Sequence, residues 1–310
     1  MQNAIVNLNG ELLAAEDALV SVYDRGFLYG DSLYEVMRTY QGIFFGIEEH
    51  LNRLENSAKL ARMTLSQSSA ELKKEILKTA VEFKRRNDIR GPPAVDLYCR
   101  LIVTRGVGVI GFGLNCIKTP SQFALLVQPV DAPSEASFNQ GLHLGIAERL
   151  RNDRRALDPA MKSGNYLNSL LAYLEITTPS GGREKGPMPP VQDALLCNSE
   201  GHITEGTTFN IFYVKVKILV TPPLDIGILA GITRDFVLDD ARQAGLEVRE
   251  TRFPPERLME ADEIFITSSI REVFPVTRIN EKLVGGGVPG PITVLLRNLF
   301  RKRIERACAN

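Results

Sequence analysis

Lys162 stands in the segment 160–175, AMKSGNYLNSLLAYLE, just ahead of a run with helical periodicity. The leucines of this run recur three and four residues apart, which predicts one buried helix face: Leu167, Leu170, Leu171 and Leu174. A lysine acts as a nucleophile only when it is unprotonated, and the amino end of a helix lowers the pKa of a nearby lysine. Position alone leaves Lys162 as either a nucleophile or an ordinary solvated lysine.

Two stretches in the second half of the chain offer groups that bind anions. Gly231 in LAGITRDF opens a predicted helix and leaves the backbone N–H groups of Ile232 and Thr233 available to an anion. Ser268 and Ser269 end a predicted strand and can present hydroxyl and N–H groups to a phosphate. An ordinary helix start and an ordinary turn remain open alternatives for these two stretches.

Glu205 lies between two predicted strands, in HITEGTTFN. A carboxylate in such a turn is normally solvated. If the Glu205 carboxylate is buried, it needs a positively charged partner, and the protonated ring nitrogen of a cofactor is one such partner. Both interpretations fit the sequence.

Tyrosine and arginine side chains occur together in two stretches of the first half. DRGFLYGDSLYEVMRTY carries Tyr29, Tyr34 and Arg38, and LYCRLIV carries Tyr98 and Arg100 at alternating strand positions. Alternate residues of a strand face the same way, so Tyr98 and Arg100 share a face. Such a pair suits a substrate carboxylate, although a structural ion pair is equally compatible with it.

Composition excludes several classes of function. The 310 residues carry 37 basic and 37 acidic side chains, so no net charge favours nucleic acid or a membrane surface. The three histidines and four cysteines are scattered without metal-ligand spacing, which argues against a metal site. We expect a cytoplasmic protein, because the cysteines are unpaired in spacing and neither a signal peptide nor a long apolar run is evident.

The order of predicted elements indicates two α/β domains. Two amphipathic helices and several strands fill residues 1–130, the small polar residues of 131–138 predict a linker, and strands alternate with helices over 139–310. The inward faces predicted for the two helices are Leu51, Leu54, Ala58 and Ala61 in the first and Leu72, Ile76, Ala80 and Phe83 in the second. Residues 177–190 are rich in glycine and proline and predict a surface loop. The alternation alone does not separate this arrangement from a barrel or a doubly wound sheet.

Five segments taken in order resemble the fold-type IV enzymes that use pyridoxal 5′-phosphate (PLP), the class IV aminotransferases. They are YGDSLYEVMRTYQGIFFGIEEHLNRL, MKSGNYLNSLLA, SEGHITEGTTFNIF, LAGITRD and ADEIFITSSIREVFPV, and the similarity runs from about residue 20 to about residue 296. The resemblance implies an α/β (α+β) protein with a smaller N-terminal domain and a larger C-terminal domain that carries the lysine. It also implies a homodimer in which each active site borrows a loop from the partner.

The resemblance assigns a role to each matching residue. Lys162 resembles the lysine that binds the cofactor covalently and moves a proton between the substrate Cα and the cofactor C4′. Glu205 resembles the carboxylate that keeps the pyridine nitrogen protonated, and Tyr166 the tyrosine near the cofactor's phenolic oxygen. The phosphate would be held by Arg53, Ile232, Thr233 and Ser269. The substrate would be bound by Tyr29, Tyr34, Arg38, Tyr98, Arg100 and Ser268.

Three motifs bear on the substrate. Tyr98 and Arg100 fit the Tyr-x-Arg pattern of the branched-chain aminotransferases, which predicts ping-pong transfer between a branched-chain L-amino acid and 2-oxoglutarate. D-amino-acid aminotransferases use an arginine–histidine pair in the following loop, where this chain has Arg105 and no histidine. The lysine motif, MKSGNY, is one glycine shorter than the common bacterial branched-chain form. A D-amino-acid aminotransferase, a 4-amino-4-deoxychorismate lyase and a non-catalytic homologue remain alternatives.

Overall fold

The computed structural model describes residues 4–89, 95–178 and 190–309. Contacts divide the chain into two compact units, one of Met1–Asp131, Met161–Asn165 and Ala307–Asn310, the other of Ala132–Ala160 and Tyr166–Arg306. The division between Asp131 and Ala132 falls within the segment predicted as a linker, residues 131–138. Most of the predicted loop 177–190, residues 179–189, lies outside the described residues. None of the described helices is long and apolar enough to cross a membrane.

The first unit contains a six-stranded sheet. Its strands are β1 (Ile5–Leu8), β2 (Glu11–Ala14), β3 (Ser32–Tyr40), β4 (Ile43–Phe44), β5 (Leu97–Thr104) and β6 (Gln122–Pro129). They lie in the order β2-β1-β6-β5-β3-β4, and each of these neighbouring pairs is antiparallel. In β5 buried and half-buried residues alternate strictly, as expected when one sheet face covers a core.

Helices α1 (Arg25–Tyr29), α2 (Ile47–Leu60) and α3 (Ser69–Arg86) complete this unit. The apolar faces predicted for α2 and α3 are buried in its core, at Leu51, Leu54, Ala58, Leu72, Ile76, Ala80 and Phe83, and Ala61 packs against them half-buried. Ser68 and Glu71 form a capping box that fixes the start of α3. Helical periodicity therefore predicted both faces correctly.

The second unit contains a nine-stranded mixed sheet. Its strands are β7 (Leu142–Ile146), β8 (Asp193–Cys197), β9 (Ile203–Gly206), β10 (Asn210–Lys215), β11 (Ile218–Thr221), β12 (Val248–Glu250), β13 (Glu263–Ser268), β14 (Glu272–Ile279) and β15 (Lys282–Leu283). The order is β12-β11-β10-β13-β14-β7-β8-β9, with β15 paired to β14. Five helices accompany it: α4 (Glu135–Gln140), α5 (Leu167–Thr177), α6 (Ile232–Gln243), α7 (Pro255–Met259) and α8 (Pro291–Ala309).

The segment predicted as a linker contains the start of a helix. Ser134 accepts a hydrogen bond from the backbone N–H of Ser137 and so caps α4, which begins at Glu135. The small polar residues that suggested a linker are thus in part a helix cap. Serine is common in both settings, so composition did not distinguish them.

The leucine stripe of α5 is exposed, and the prediction of a buried stripe was wrong. Leu167, Leu170, Leu171 and Leu174 are between 37% and 65% exposed in the single chain. The residues of α5 that are buried are Ser169 and Ala172. Small side chains let the helix backbone lie close to the sheet at β8, which turns the larger leucines outward.

Lys162 does not lie at the amino end of a helix, because α5 begins only at Leu167. Residues 162–164 instead extend along the open edge of β3: Tyr34 N–H donates to the Lys162 carbonyl at 3.0 Å, and Gly164 N–H donates to the Ser32 carbonyl at 2.8 Å. By its contacts this segment belongs to the first unit, whereas the sequence placed the lysine in the C-terminal domain. The reason is a strand pairing that local periodicity does not reveal.

Candidate active site

Lys162 is held by backbone and side-chain contacts within the first unit. Its backbone N–H donates to the Ser57 hydroxyl of α2 at 3.1 Å. Its Nζ donates to the phenolic oxygen of Tyr34 at 2.9 Å and lies 4.2 Å from the centre of that ring. At position 164 a Cβ would lie 2.2 Å from the Ser32 hydroxyl, so the single glycine of the motif is what allows this close approach. The lysine is therefore half-buried and fixed on a phenol.

The predicted substrate residues of β3 and β5 share one face of the sheet. Arg38 lies directly opposite Tyr98 in the β3–β5 register, and residues opposite each other in an antiparallel pair point the same way. The Arg100 guanidinium lies 4.5 Å from the centre of the Tyr34 ring. The Arg38 guanidinium lies 4.2 Å from the Tyr40 ring and 3.8 Å from the Asp96 carboxylate. Tyrosines and arginines thus alternate across one surface beside Lys162.

Tyr29 lies on α1 rather than on this sheet face. Its phenolic oxygen accepts a hydrogen bond from the Gly111 N–H at 3.1 Å, and its ring packs against Phe112. The structure therefore places Tyr29 against the loop that follows β5.

Arg105, the arginine of that loop, is bound elsewhere. Its Nε donates to the Asp31 carboxylate at 2.6 Å, and its two terminal nitrogens donate to the carbonyls of Ala61 and Arg62 at 2.8 and 2.7 Å. Carbonyls at the end of a helix attract such a cation. Arg105 therefore secures the end of α2.

Behind the same sheet, Arg53 and His50 both contact Glu35. Arg53 donates from Nε and Nη2 to the two carboxylate oxygens at 2.8 and 2.7 Å, and His50 Nδ1 lies 2.7 Å from Glu35 Oε2. Burial would raise the pKa of Glu35, but the charge and hydrogen bonds of Arg53, joined by His50, outweigh it and lower the pKa to about 2. Glu35 is therefore an ionised carboxylate with no exposed surface.

Sequence reasoning found Arg53 but missed Glu35 and His50. Glu35 lies two residues from each of the core residues Leu33 and Met37 on β3 and therefore faces the same core. A carboxylate at a core position needs a partner. His50 and Arg53 are three residues apart on α2, which places them on one helix face. These two patterns in the sequence could have indicated that Glu35 and His50 belong to the site.

In the second unit, three groups donate hydrogen bonds to Glu205. Arg151 Nη2 lies 2.7 Å from Oε1, and the Leu229 N–H and Asn210 Nδ2 lie 3.0 and 3.2 Å from Oε2. Glu205 is 4% exposed, so the solvated alternative does not apply. Arg151 and Asn210 were not predicted. The sequence does contain a signal for Asn210, because it is a polar residue at the start of an otherwise apolar strand. Such a residue, once buried, requires a hydrogen-bond partner.

Gly231 places the start of α6 directly against Asn210. A Cβ at position 231 would lie 2.0 Å from Asn210 Oδ1, so any larger residue would displace that amide. Asn210 also donates to the Leu229 carbonyl at 3.0 Å. The N–H groups of Ile232 and Thr233 stand in the first turn of α6 with no side-chain cap at its N-terminus. The helix start predicted at Gly231 is therefore present, and the binding of an anion there stays a prediction.

A buried hydroxyl without a partner lies on the sheet beside this helix start. Thr267 is 2% exposed, and its Oγ1 has no hydrogen-bond partner within the described ranges. In the β10–β13 register Thr267 is directly opposite Asn210, the residue that touches Gly231. An unsatisfied buried hydroxyl calls for a ligand or an ordered water.

Three further predicted residues lie at the ends of elements in the second unit. Ser268 ends β13, and its hydroxyl accepts the backbone N–H of Arg271 at 3.1 Å. Ser269 opens the turn that follows, and it is half-buried. Tyr166 occupies the N-cap position of α5.

Comparison with known proteins identifies the family of the chain. The family model for amino-transferase class IV matches residues 32–279. The chain belongs to the class IV amino-transferase family. This membership confirms the predicted resemblance, and the enzyme is accordingly of the transaminase type and takes PLP as its cofactor.

Curated relatives of the enzyme fall into three groups. A Methanocaldococcus jannaschii protein, provisionally named a branched-chain-amino-acid aminotransferase, is 36% identical over 96% of this chain and 95% of that protein. A D-alanine aminotransferase of Bacillus licheniformis is 35% identical, with 96% of both chains covered. An aminodeoxychorismate lyase of Bacillus subtilis is 32% identical over 97% of this chain and 95% of that protein. Overall identity therefore does not separate the three activities.

Solved structures support the fold. The branched-chain amino acid aminotransferase of Escherichia coli superimposes with a TM-score of 0.82 at 31% identity, covering 96% of this chain and 93% of that one. A second branched-chain amino acid aminotransferase, solved as a complex with N-(5′-phosphopyridoxyl)-L-glutamate, gives a TM-score of 0.82 at 29% identity, with 97% and 93% covered. The predicted two-domain α/β fold of type IV is thereby confirmed.

The residues present fit PLP. In the first unit Lys162 has a half-buried amine. In the second unit Glu205 is a buried carboxylate of the kind that pairs with a protonated ring nitrogen, and the start of α6 has uncapped N–H groups of the kind that bind a phosphate, near the unsatisfied hydroxyl of Thr267. PLP, when bound, supplies an electron sink for the bond that breaks at the substrate Cα.

Proposed function

We propose that the enzyme transfers an amino group between a branched-chain L-amino acid and 2-oxoglutarate in a ping-pong reaction. The observation that carries the proposal is the shared face of β3 and β5, where Tyr34, Arg38, Tyr98 and Arg100 alternate phenol and guanidinium groups. Guanidinium groups bind a carboxylate, and the adjoining tyrosine rings offer apolar surface to an aliphatic side chain. The glutamate adduct bound by the second solved relative supports 2-oxoglutarate as the acceptor.

Each side chain has a separate task in this proposal. Lys162 would hold the cofactor through its amine and would carry the proton to and from the substrate Cα, and Tyr34 holds the Lys162 amine in place when that amine is free. Glu205, which Arg151 holds in place, would keep the ring nitrogen of the cofactor protonated. Arg53, Ile232, Thr233 and Ser269 would bind the phosphate of the cofactor, Tyr166 would contact its phenolic oxygen, and Tyr29 and Ser268 would join the substrate residues.

Arg105 supports the L-amino-acid assignment over the D-amino-acid alternative. The D-type arrangement requires an arginine–histidine pair from the loop after β5, and residues 105–120 contain no histidine. Their one arginine, Arg105, binds Asp31 and the end of α2 instead. Recruiting it for a substrate carboxylate would leave those helix-end carbonyls without their cation.

We also propose a homodimer. In the first unit large apolar side chains are exposed on the segment before β3 and on the loop after β5: Leu19, Val20, Val22, Tyr23, Phe27, Val109, Ile110, Phe112 and Leu114. Surfaces of this kind are typical of protein interfaces. Sedimentation velocity would test the proposal, with Phe112→Asp expected to yield monomers. A wild-type monomer would contradict it.

A cytoplasmic location is part of the proposal. The four cysteines, all in the described part of the chain, are free thiols. Free thiols persist in a reducing compartment.

A substrate panel tests the main proposal. Leucine, isoleucine, valine and alanine, each as L and D enantiomers, are offered with 2-oxoglutarate or pyruvate, and aminodeoxychorismate is tested for pyruvate release. We expect turnover with the branched-chain L series and 2-oxoglutarate. Turnover confined to D-alanine would favour the D-amino-acid type, pyruvate release without transamination would favour the lyase, and a colourless protein would indicate a non-catalytic homologue.

A further inference from the structure

We propose that His50 is a positioning residue that holds Arg53 on the cofactor phosphate, acting through the carboxylate of Glu35. The inference rests on the proposed role of Arg53 as a phosphate ligand. His50 is itself 2% exposed and has no place among the substrate or cofactor contacts proposed above. Its function must therefore pass through the groups that it touches.

The geometry makes Glu35 the link between the two side chains. Arg53 uses Nε and Nη2 on the two oxygens of Glu35, and this bidentate contact fixes the plane of the guanidinium. A carboxylate can still rotate about its last torsion, and guanidinium and carboxylate would then turn together. His50 Nδ1 lies 2.7 Å from Oε2, the same oxygen that Nη2 contacts, and so stops that rotation. One helix, α2, carries both His50 and Arg53, which keeps their spacing constant.

The charges of Glu35, His50 and Arg53 favour the same arrangement. Burial, assisted by the positive charges of Arg53 and Lys162, lowers the pKa of His50 against the opposing effect of Glu35, so the imidazole is neutral near pH 7. An ionised carboxylate only accepts hydrogen bonds, so the proton of the neutral ring lies on Nδ1. Glu35 and Arg53 balance each other, and neutral His50 adds a hydrogen bond without adding charge. A cation at position 50 would instead compete with Arg53 for the same carboxylate.

The test compares binding of PLP with binding of pyridoxal, which lacks the phosphate. Full-length apoprotein variants are titrated with each compound, and the ratio of the two dissociation constants reports on phosphate binding alone. We expect His50→Leu to raise the dissociation constant of PLP about tenfold while leaving that of pyridoxal unchanged, the size of effect seen when a partner that orients a ligand is lost. His50→Asn should restore most of the ratio, because its amide nitrogen takes the place of Nδ1.

Two further variants separate the possible failures. Arg53→Met should lower the preference for PLP strongly, leaving only the part that comes from Ser269 and the N–H groups at the start of α6, and adding His50→Leu to it should change the ratio no further. His143→Leu removes another buried histidine, whose ring contacts the Asn280 carbonyl, and should affect thermal stability without changing the ratio. If Arg53→Met leaves the ratio unchanged, the phosphate role of Arg53 is wrong. If Arg53→Met changes the ratio and His50→Leu does not, His50 is merely structural and the inference is overturned.

Discussion

The amine of Lys162 donates a hydrogen bond to the phenolic oxygen of Tyr34 across 2.9 Å. These residues are 128 positions apart in sequence, and they meet because residues 162–164 pair with the edge of β3. The ring face also attracts the positive charge of the amine, whose Nζ lies 4.2 Å from the ring centre. Two contacts with one side chain therefore fix the position of the Lys162 amine.

Lys162→Ala should abolish turnover without unfolding the protein. The backbone pairing of residue 162 with β3 does not depend on its side chain, so the far-UV circular dichroism should be unchanged. The visible absorption band of lysine-bound cofactor should vanish, and kcat should fall at least about a thousandfold, within the range for loss of an acid–base group. Lys59→Ala, an exposed lysine of α2, serves as the control. Normal turnover in Lys162→Ala would refute the assignment.

Glu205→Gln should lower kcat by about a hundredfold or more, because an amide cannot stabilise a protonated ring nitrogen as a carboxylate does. The substitution keeps an oxygen that can accept the Leu229 N–H, so the local fold should persist. Steady-state kinetics with Glu200→Gln, an exposed carboxylate, as control would measure the effect. Equal kcat values in both variants would exclude Glu205 from the role proposed for it.

Thr267→Val should weaken PLP binding without destabilising the apoprotein. The hydroxyl of Thr267 has no partner within the described residues, so removing it relieves a desolvation penalty rather than breaking a bond. The matched control is Thr221→Val, whose buried hydroxyl donates to the Ile211 carbonyl at 2.8 Å. That control should lose about 1 kcal/mol of stability and keep its PLP affinity. Unchanged PLP affinity in Thr267→Val would remove this hydroxyl from the phosphate site.

Acid should weaken the first unit through Glu35. Its pKa is lowered to about 2 in the folded state, so its contribution is fully present above the unfolded pKa, about 4.3, and is lost as the pH falls toward 2. Glu35→Gln should therefore cost on the order of 3 kcal/mol at pH 7 and progressively less as the pH falls below about 4. Because the chain has no tryptophan, urea unfolding followed by circular dichroism is the measurement. A cost independent of pH would contradict this linkage.

Periodicity predicted the elements well where a neighbouring element covers the apolar face. The faces of α2 and α3 are buried as predicted, because the sheet of the first unit packs on them. On α5 the same reasoning failed, because a leucine stripe reveals an apolar face but not the surface that covers it. There Ser169 and Ala172 contact the sheet side, and the leucines face outward.

The chemistry-bearing residues were predicted largely from motifs taken in order, and their partners were not. Lys162, Glu205 and the start of α6 each lie in a short recognisable segment. Arg151 and Asn210 contact Glu205 from 54 and 5 positions away in the chain, and no local pattern links them to it. Contacts of this kind depend on the order of the strands in the sheet, which a single sequence does not reveal.

The absence of a side chain at Gly231 makes residues that lie far apart in the chain depend on one another. A methyl group there would push against Asn210, whose amide also contacts Glu205 and the Leu229 carbonyl. One added carbon would thus disturb a carboxylate 26 positions away and the first turn of α6 at once. In directed evolution, positions 205, 210 and 231 should therefore behave as one epistatic group, in which single replacements fail and only joint ones survive selection.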